Sequence, residues 1–62
     1  MTIDEAIDKL NSGKSIGVNH TWSFWKSGDT YNMDCVDGCC NDGGFDEEDV
    51  RRFLKGMTIY EQ

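Results

Sequence analysis

The sequence predicts a small α+β domain. It reads as a two-layer sandwich of helix–strand–strand–helix order, with a small antiparallel sheet and room for a short C-terminal edge strand. Three observations point there. Apolar residues recur at helical spacing near both ends of the chain. Between them, apolar and small polar residues alternate with a period of two. The whole chain is 62 residues, which suits one domain, residues 1–62, around one core.

The first helix is expected from about Ile3 to Asn11. Thr2 and Glu5 have the Thr-x-x-Glu spacing of a capping box, which satisfies two backbone N–H groups that a helix start leaves without partners. Ile3, Ala6, Ile7 and Leu10 make one apolar stripe. Asn11-Ser12-Gly13 supplies the stop, with Gly13 suited to the left-handed conformation. A strand follows. Ile16, Val18, His20, Trp22 and Phe24 alternate with Gly17, Asn19, Thr21, Ser23 and Trp25, so the first set should face the core. Lys26-Ser27-Gly28-Asp29 has turn composition, and the return strand runs from Thr30 to about Val36, with Tyr31, Met33 and Cys35 on one face. Residues Asp37 to Gly44, rich in Gly, Asp and Asn, read as a loop. The second helix opens at Asp46 as N-cap, with Glu47, Glu48 and Asp49 in the first turn, where the helix dipole favours negative charge. Phe45 and Val50 stand at hydrophobic-staple positions, and Val50, Phe53, Leu54 and Met57 form its apolar stripe. Gly56 is the expected stop, and Met57-Thr58-Ile59-Tyr60 can add the edge strand.

Composition narrows the function classes. Twelve Asp and Glu against six Lys and Arg leave a formal charge of −6. Direct nucleic-acid binding needs a basic footprint, and an anionic membrane surface repels such a chain. A protein partner with a basic surface is the natural complement. No apolar run has the length of a membrane span and the N-terminus lacks the pattern of a signal peptide, so a cytoplasmic location is expected. The cysteine count of three does not complete a disulfide framework.

Chemistry has few carriers. His20 is the only histidine, and no phosphate loop, nucleophile elbow or zinc-protease signature occurs. No catalytic residue, resident metal or cofactor is therefore expected. Cys35, Cys39, Cys40 and His20 together have the donor types of a structural zinc site, but adjacent cysteines do not readily converge on one ion. Asp37, Cys39, Asn41, Asp42 and Glu48 have some calcium-loop character but lack the glycine and the oxygen donors of an EF-hand. Trp25 falls on the face opposite the core set, among Thr21, Ser23, Thr30 and Asn32, where a tryptophan serves as an interface anchor.

Charge distribution is the most informative feature. Asp29, Asp34, Asp37, Asp42, Asp46, Glu47, Glu48 and Asp49 follow one another with no Lys or Arg between the first and the last. Part of this is local helix chemistry at Asp46 to Asp49. The rest predicts one negative end or face, built from the second strand, the loop and the start of the second helix.

A short single domain with no catalytic set and with these acidic stretches resembles the small acidic inhibitors of bacteriophages and mobile elements, the class that includes anti-CRISPR proteins and DNA mimics. The resemblance is one of type over the whole chain, carried by no motif. It implies that the acidic residues and Trp25 face Lys and Arg on a nucleic-acid-binding surface of a host nuclease or surveillance complex, in the bacterial cytoplasm. The six basic residues depart from the more lopsided composition of strong DNA mimics. Two other readings stand beside it: a homodimeric regulatory domain joined through Trp25 and an exposed sheet edge, and a metal-stapled domain. A nucleotide sponge using Trp22 or Trp25 with His20 is a fourth, opposed by the negative charge.

Overall fold

Seven elements follow one another in the computed structural model, which describes residues 1–35, 38 and 41–62. They are α1 (Ile3–Asn11), β1 (Ile16–Val18), β2 (Trp22–Ser27), β3 (Thr30–Cys35), β4 (Asn41–Phe45), α2 (Glu47–Leu54) and β5 (Ile59–Glu61). The strands form one five-stranded antiparallel sheet in the order β4-β3-β2-β1-β5. Both helices pack on one face of it, α1 against β1 and β2 and α2 against β3 and β4.

Both helix starts form as the sequence predicts. The Thr2 side chain accepts from the Glu5 backbone N–H, and the Glu5 carboxylate accepts from the Thr2 N–H at 2.8 Å. This capping pair holds the Glu5 carboxyl below its ordinary value, chiefly through the Thr2 backbone N–H. Asp46 caps α2 by accepting from the Asp49 N–H at 2.8 Å. Gly13 adopts a φ of 84° just after α1, which ends the helix as expected.

The core joins the two layers. Ala6, Ile7 and Leu10 of α1 and Val50 and Leu54 of α2 are buried against Ile16, Val18, Phe24, Tyr31 and Ile59 of the sheet. Trp22 meets Phe53 edge to face, with ring centroids 5.3 Å apart. Aromatic pairs prefer this geometry because the positive ring edge meets the negative face.

The sheet corrects the sequence reading in two places. The segment from Ile16 to Trp25 is two strands, because the chain reverses at Asn19 and His20. These residues have φ of 54° and 57°, and the Thr21 N–H closes the turn on the Val18 carbonyl. A continuous ten-residue strand would span about 33 Å, longer than the 27 Å of the molecule's longest axis. Reversal keeps the alternation intact: Val18 pairs with Trp22 and Ile16 with Phe24, so all four face the helices. His20 leaves that set, stands exposed in the turn, and stacks on Tyr60 at 4.5 Å.

The second correction concerns the loop expected from Asp37 to Gly44. Asn41–Phe45 is a strand, so the sheet has more strands than the sequence predicts. Its pairing with β3 is irregular between Tyr31 and Met33, where Gly43 and Gly44 fall opposite Asn32. Gly44 has a φ of 77°, the left-handed conformation that a bulge of this kind uses. Asp37, Cys39 and Cys40, named above for charge and metal binding, lie outside the described residues. β5 is an edge strand as expected, shifted slightly toward the C-terminus.

Candidate functional site

The face of the sheet turned away from the helices is the candidate site. Strand register decides which side chains share it. Trp25 pairs with Asn32, Ser23 with Asp34 and with Gly17, and Gly17 with Tyr60. Asp34 in turn pairs with Asn41. Directly paired residues project to the same side, so Tyr60, Ser23, Trp25, Asn32, Asp34 and Asn41 all lie on the face opposite Phe24 and Tyr31. Among the described residues no helix covers this face.

Two glycines shape it. A Cβ at Gly17 would collide with the ring of Tyr60, and one at Gly43 would collide with the side-chain amide of Asn32. Each glycine lets its neighbour's planar group lie across the backbone of the adjoining strand. The Tyr60 ring continues into the stack with His20, while Ser23 donates to the Gln62 side-chain oxygen at 2.6 Å. Next to them Trp25, half-buried, borders a shallow concavity with Asn32, Asp34, Asn41, Asp42 and Gly43.

The acidic residues predicted as one negative surface separate into groups. Asp34 is on the open face, Asp42 is exposed on the edge strand β4, and Asp29 is exposed at the tip of the β2–β3 hairpin. Asp46, Glu47, Glu48 and Asp49 sit at the start of α2, in the helical layer. Of the described acids in that set, all but Asp29 gather at the β3–β4 end of the molecule, on both sides of the sheet.

Their electrostatic settings differ. Arg51 donates to Glu47 at 3.0 Å and to Asp4 of α1 at 2.7 Å, linking the two helices. The two carboxylates hold the Arg51 guanidinium above its ordinary value, Asp4 contributing most. Arg52 donates to Glu48 at 3.1 Å and stands 4.0 Å from Asp49. The α2 carboxylates are thus largely answered by cations one turn away. Among the described residues, no Lys or Arg forms an ion pair with Asp29, Asp34 or Asp42.

The remaining cations are also on the helical side. Lys26 reaches from β2 to Asn11 at the end of α1, and its ammonium lies 5.4 Å from the centre of the Tyr31 ring. Lys9 on α1 pairs with Glu61 and holds that carboxyl below its ordinary value. Lys55 caps α2, and Lys14 lies in the α1–β1 loop. Among the described residues, no cation projects from the open face.

Other candidate chemistry does not assemble. Among the described residues, no three His, Cys, Asp or Glu groups converge as metal ligands. Cys35 is a half-buried free thiol beside Trp22 in the register, while His20 is engaged with Tyr60. An apolar groove of about 370 Å³ lies between α2 and the sheet, lined by Phe24, Met33, Phe45, Val50 and Phe53. Asp49 and Arg52, which face each other, stand on its rim. The sequence pattern missed the groove because it marks these residues only as core. It also missed the pairing of Tyr60 and Asn32 with glycines across the sheet, for which an isolated glycine inside a strand pattern is the available signal.

Fold and site together define a class: a two-layer α+β domain with one helix-covered sheet face and one open face bearing aromatic and acidic side chains. No helix of the described residues is long and apolar enough to cross a membrane. Compared with family models, with curated proteins and with solved structures, the chain finds no match in any of the three.

Proposed function

We propose that this domain is a small non-enzymatic inhibitor, of the anti-CRISPR or DNA-mimic type, that binds a protein. Its open sheet face docks on a basic, nucleic-acid-binding surface of a host defence protein or nuclease. The observation that carries this reading is the segregation of charge. Every Lys and Arg lies in the helical layer, on its side of the sheet or in the α1–β1 loop, while Asp34 stands on the open face, Asp42 is exposed on the adjoining edge strand beside Met33, and Asp29 is exposed at the hairpin tip. Such a face attracts a cationic surface and repels phosphate. Trp25 supplies the apolar anchor that interfaces of this kind concentrate near their centre.

The acids at the start of α2 have a smaller part in this reading. Glu47, Glu48 and Asp49 already have intrahelical partners, and Asp46 holds the helix cap. Asp29, Asp34 and Asp42 therefore carry most of the attraction. A complex built this way weakens as salt rises, because exposed charge pairs are screened over about 10 Å at 0.1 M. The experiment is capture of partners from bacterial lysate at low and high salt, with wild type and with a variant reversed at Asp34 and Asp42. Retention of a basic nucleic-acid-processing protein by wild type alone, and only at low salt, supports the proposal. Equal retention by the reversed variant sinks it.

A further inference from the structure

Trp25 and Asp34 are diagonal neighbours on adjacent strands of the open face, since Trp25 pairs with Asn32 and Ser23 with Asp34. Diagonal Cα positions in an antiparallel pair are about 7–8 Å apart, within reach of one long side chain lying between them. The same two residues border the shallow concavity completed by Asn32, Met33, Asn41, Asp42 and Gly43. Because Gly43 has no side chain, the amide of Asn32 lies over it. The concavity thus offers an indole, the Asp34 carboxylate and two side-chain amides, and no cation; Asp42, paired with Met33, borders it from the edge strand.

From this arrangement we infer that the concavity is an arginine-anchoring site: a guanidinium from the partner stacks on the Trp25 indole and forks onto the Asp34 carboxylate. The inference rests on the docking reading above and names the group that the face selects. Guanidinium is planar, with N–H donors directed to both sides. It can lie on an aromatic face while donating two parallel hydrogen bonds to a carboxylate. The carbonyl oxygens of Asn32 and Asn41 are acceptors for its remaining N–H groups. Lysine satisfies only the charge, because a compact ammonium neither stacks flat nor forks. A second copy of this chain is a poor occupant. Its formal charge is also −6, and a two-fold contact on this face would bring Asp34 near its own symmetry mate.

The probes are two amidated peptides, tetra-arginine and tetra-lysine, titrated at low salt into isotope-labelled protein and followed by NMR. Trp22, on the helix-covered face, provides an internal control. The expected result is movement of the Trp25 indole N–H and the Asp34 amide, a still Trp22 indole, and tetra-arginine binding at least about tenfold more tightly than tetra-lysine. Asp34→Asn, an isosteric change on an exposed face, should lower tetra-arginine affinity by about fivefold or more and bring the two peptides closer together. Trp25→Leu should do the same, provided its thermal melt shows a folded domain. Equal affinity for both peptides, or shifts confined to Glu47–Asp49, overturns the arginine anchor while leaving docking through acidic residues intact. Binding of neither peptide overturns both. Concentration-dependent self-association that moves the Trp25 indole without peptide assigns the face to a second copy and overturns the inference.

Discussion

Asn11 is where a single substitution should expose how the hairpin carrying Trp25 is held to the helical layer. Its side-chain oxygen accepts from the Tyr31 hydroxyl at 2.6 Å and from Lys26 Nζ at 3.2 Å. Tyr31 is 4% exposed, whereas Asn11 is at the surface. The two ends of this hydrogen bond are therefore unequal. Asn11→Ala leaves the part-buried hydroxyl of Tyr31 without its partner, which costs up to about 1–3 kcal/mol. Alanine's better helix propensity returns up to about 0.7 kcal/mol. Tyr31→Phe removes the hydroxyl itself and leaves Asn11 to water, at about 0.5–1.5 kcal/mol. When Tyr31→Phe is already present, adding Asn11→Ala should cost close to nothing, giving a coupling of about 1–2 kcal/mol. Urea denaturation can resolve this, because a small domain has a slope near 1 kcal/mol/M and the midpoint should move by about 1–2 M. Equal costs of Asn11→Ala with and without Tyr31→Phe would refute the reasoning.

The same pair predicts an alkaline effect. Burial, with the Glu47 carboxylate adding to it, pushes the Tyr31 phenol above its ordinary value. A group raised in the folded state stabilises fully below its unfolded value near pH 10 and loses that contribution as pH rises through the folded value. Stability of wild type should thus fall above about pH 10, and Tyr31→Phe should flatten that limb.

Three further outcomes follow from the fold. Gly17→Ala drives the Tyr60 ring off the strand and out of its stack with His20; loss of about 0.5–1.5 kcal/mol of aromatic contact is offset by about 0.5–1 kcal/mol from removing a strand glycine. Thermal stability should barely change, while the ring-current shift of the His20 protons in NMR spectra disappears. Thr2→Ala should cost about 1 kcal/mol through the lost cap. Glu5 is lowered in the folded state chiefly through the Thr2 backbone N–H, which alanine keeps, so wild type and Thr2→Ala should both lose that contribution as pH falls through the folded value, and the deficit between them should change little on acidification in parallel melts. Arg51→Gln, which cuts the exposed links to Asp4 and Glu47, should change stability by less than about 1 kcal/mol, a difference that fades in 1 M salt.

The legible parts of the fold were those written in local chemistry. Thr2 with Glu5, and Asp46 ahead of three acids, signal helix starts through groups within one turn of each other. The apolar period then carries α1 to Asn11, where the structure also ends it. Tertiary geometry decided the rest. Asn19-His20 has the same parity as a continuing strand, so alternation is silent about the reversal there; the willingness of asparagine to take positive φ was the available hint. β4 lacks an apolar run, and Gly43 and Gly44 argue locally for a loop. It pairs because β3 presents an edge and because Asn32 fills the space that a side chain at Gly43 would take.

Of the site, the side occupied by Trp25 could be read from parity and holds despite the misread turn, because the reversal at residues 19–21 preserves which positions face the helices. The separation of Asp34 from the α2 acids could not be read. It depends on which face of the sheet the second helix covers, and acidic residues that are consecutive in sequence lie on both sides of that sheet.

The central claim is that uncompensated acid on and around the open face draws a basic partner. The most direct test is partner capture from bacterial lysate across a salt series, comparing wild type with the Asp34→Lys/Asp42→Lys double variant and with an Arg51→Gln control that leaves the open face untouched. Wild type and the Arg51→Gln control should retain the same basic nucleic-acid-processing protein at low salt, and the double variant should not. Retention by all three, or a wild type that recovers only itself, would contradict the claim.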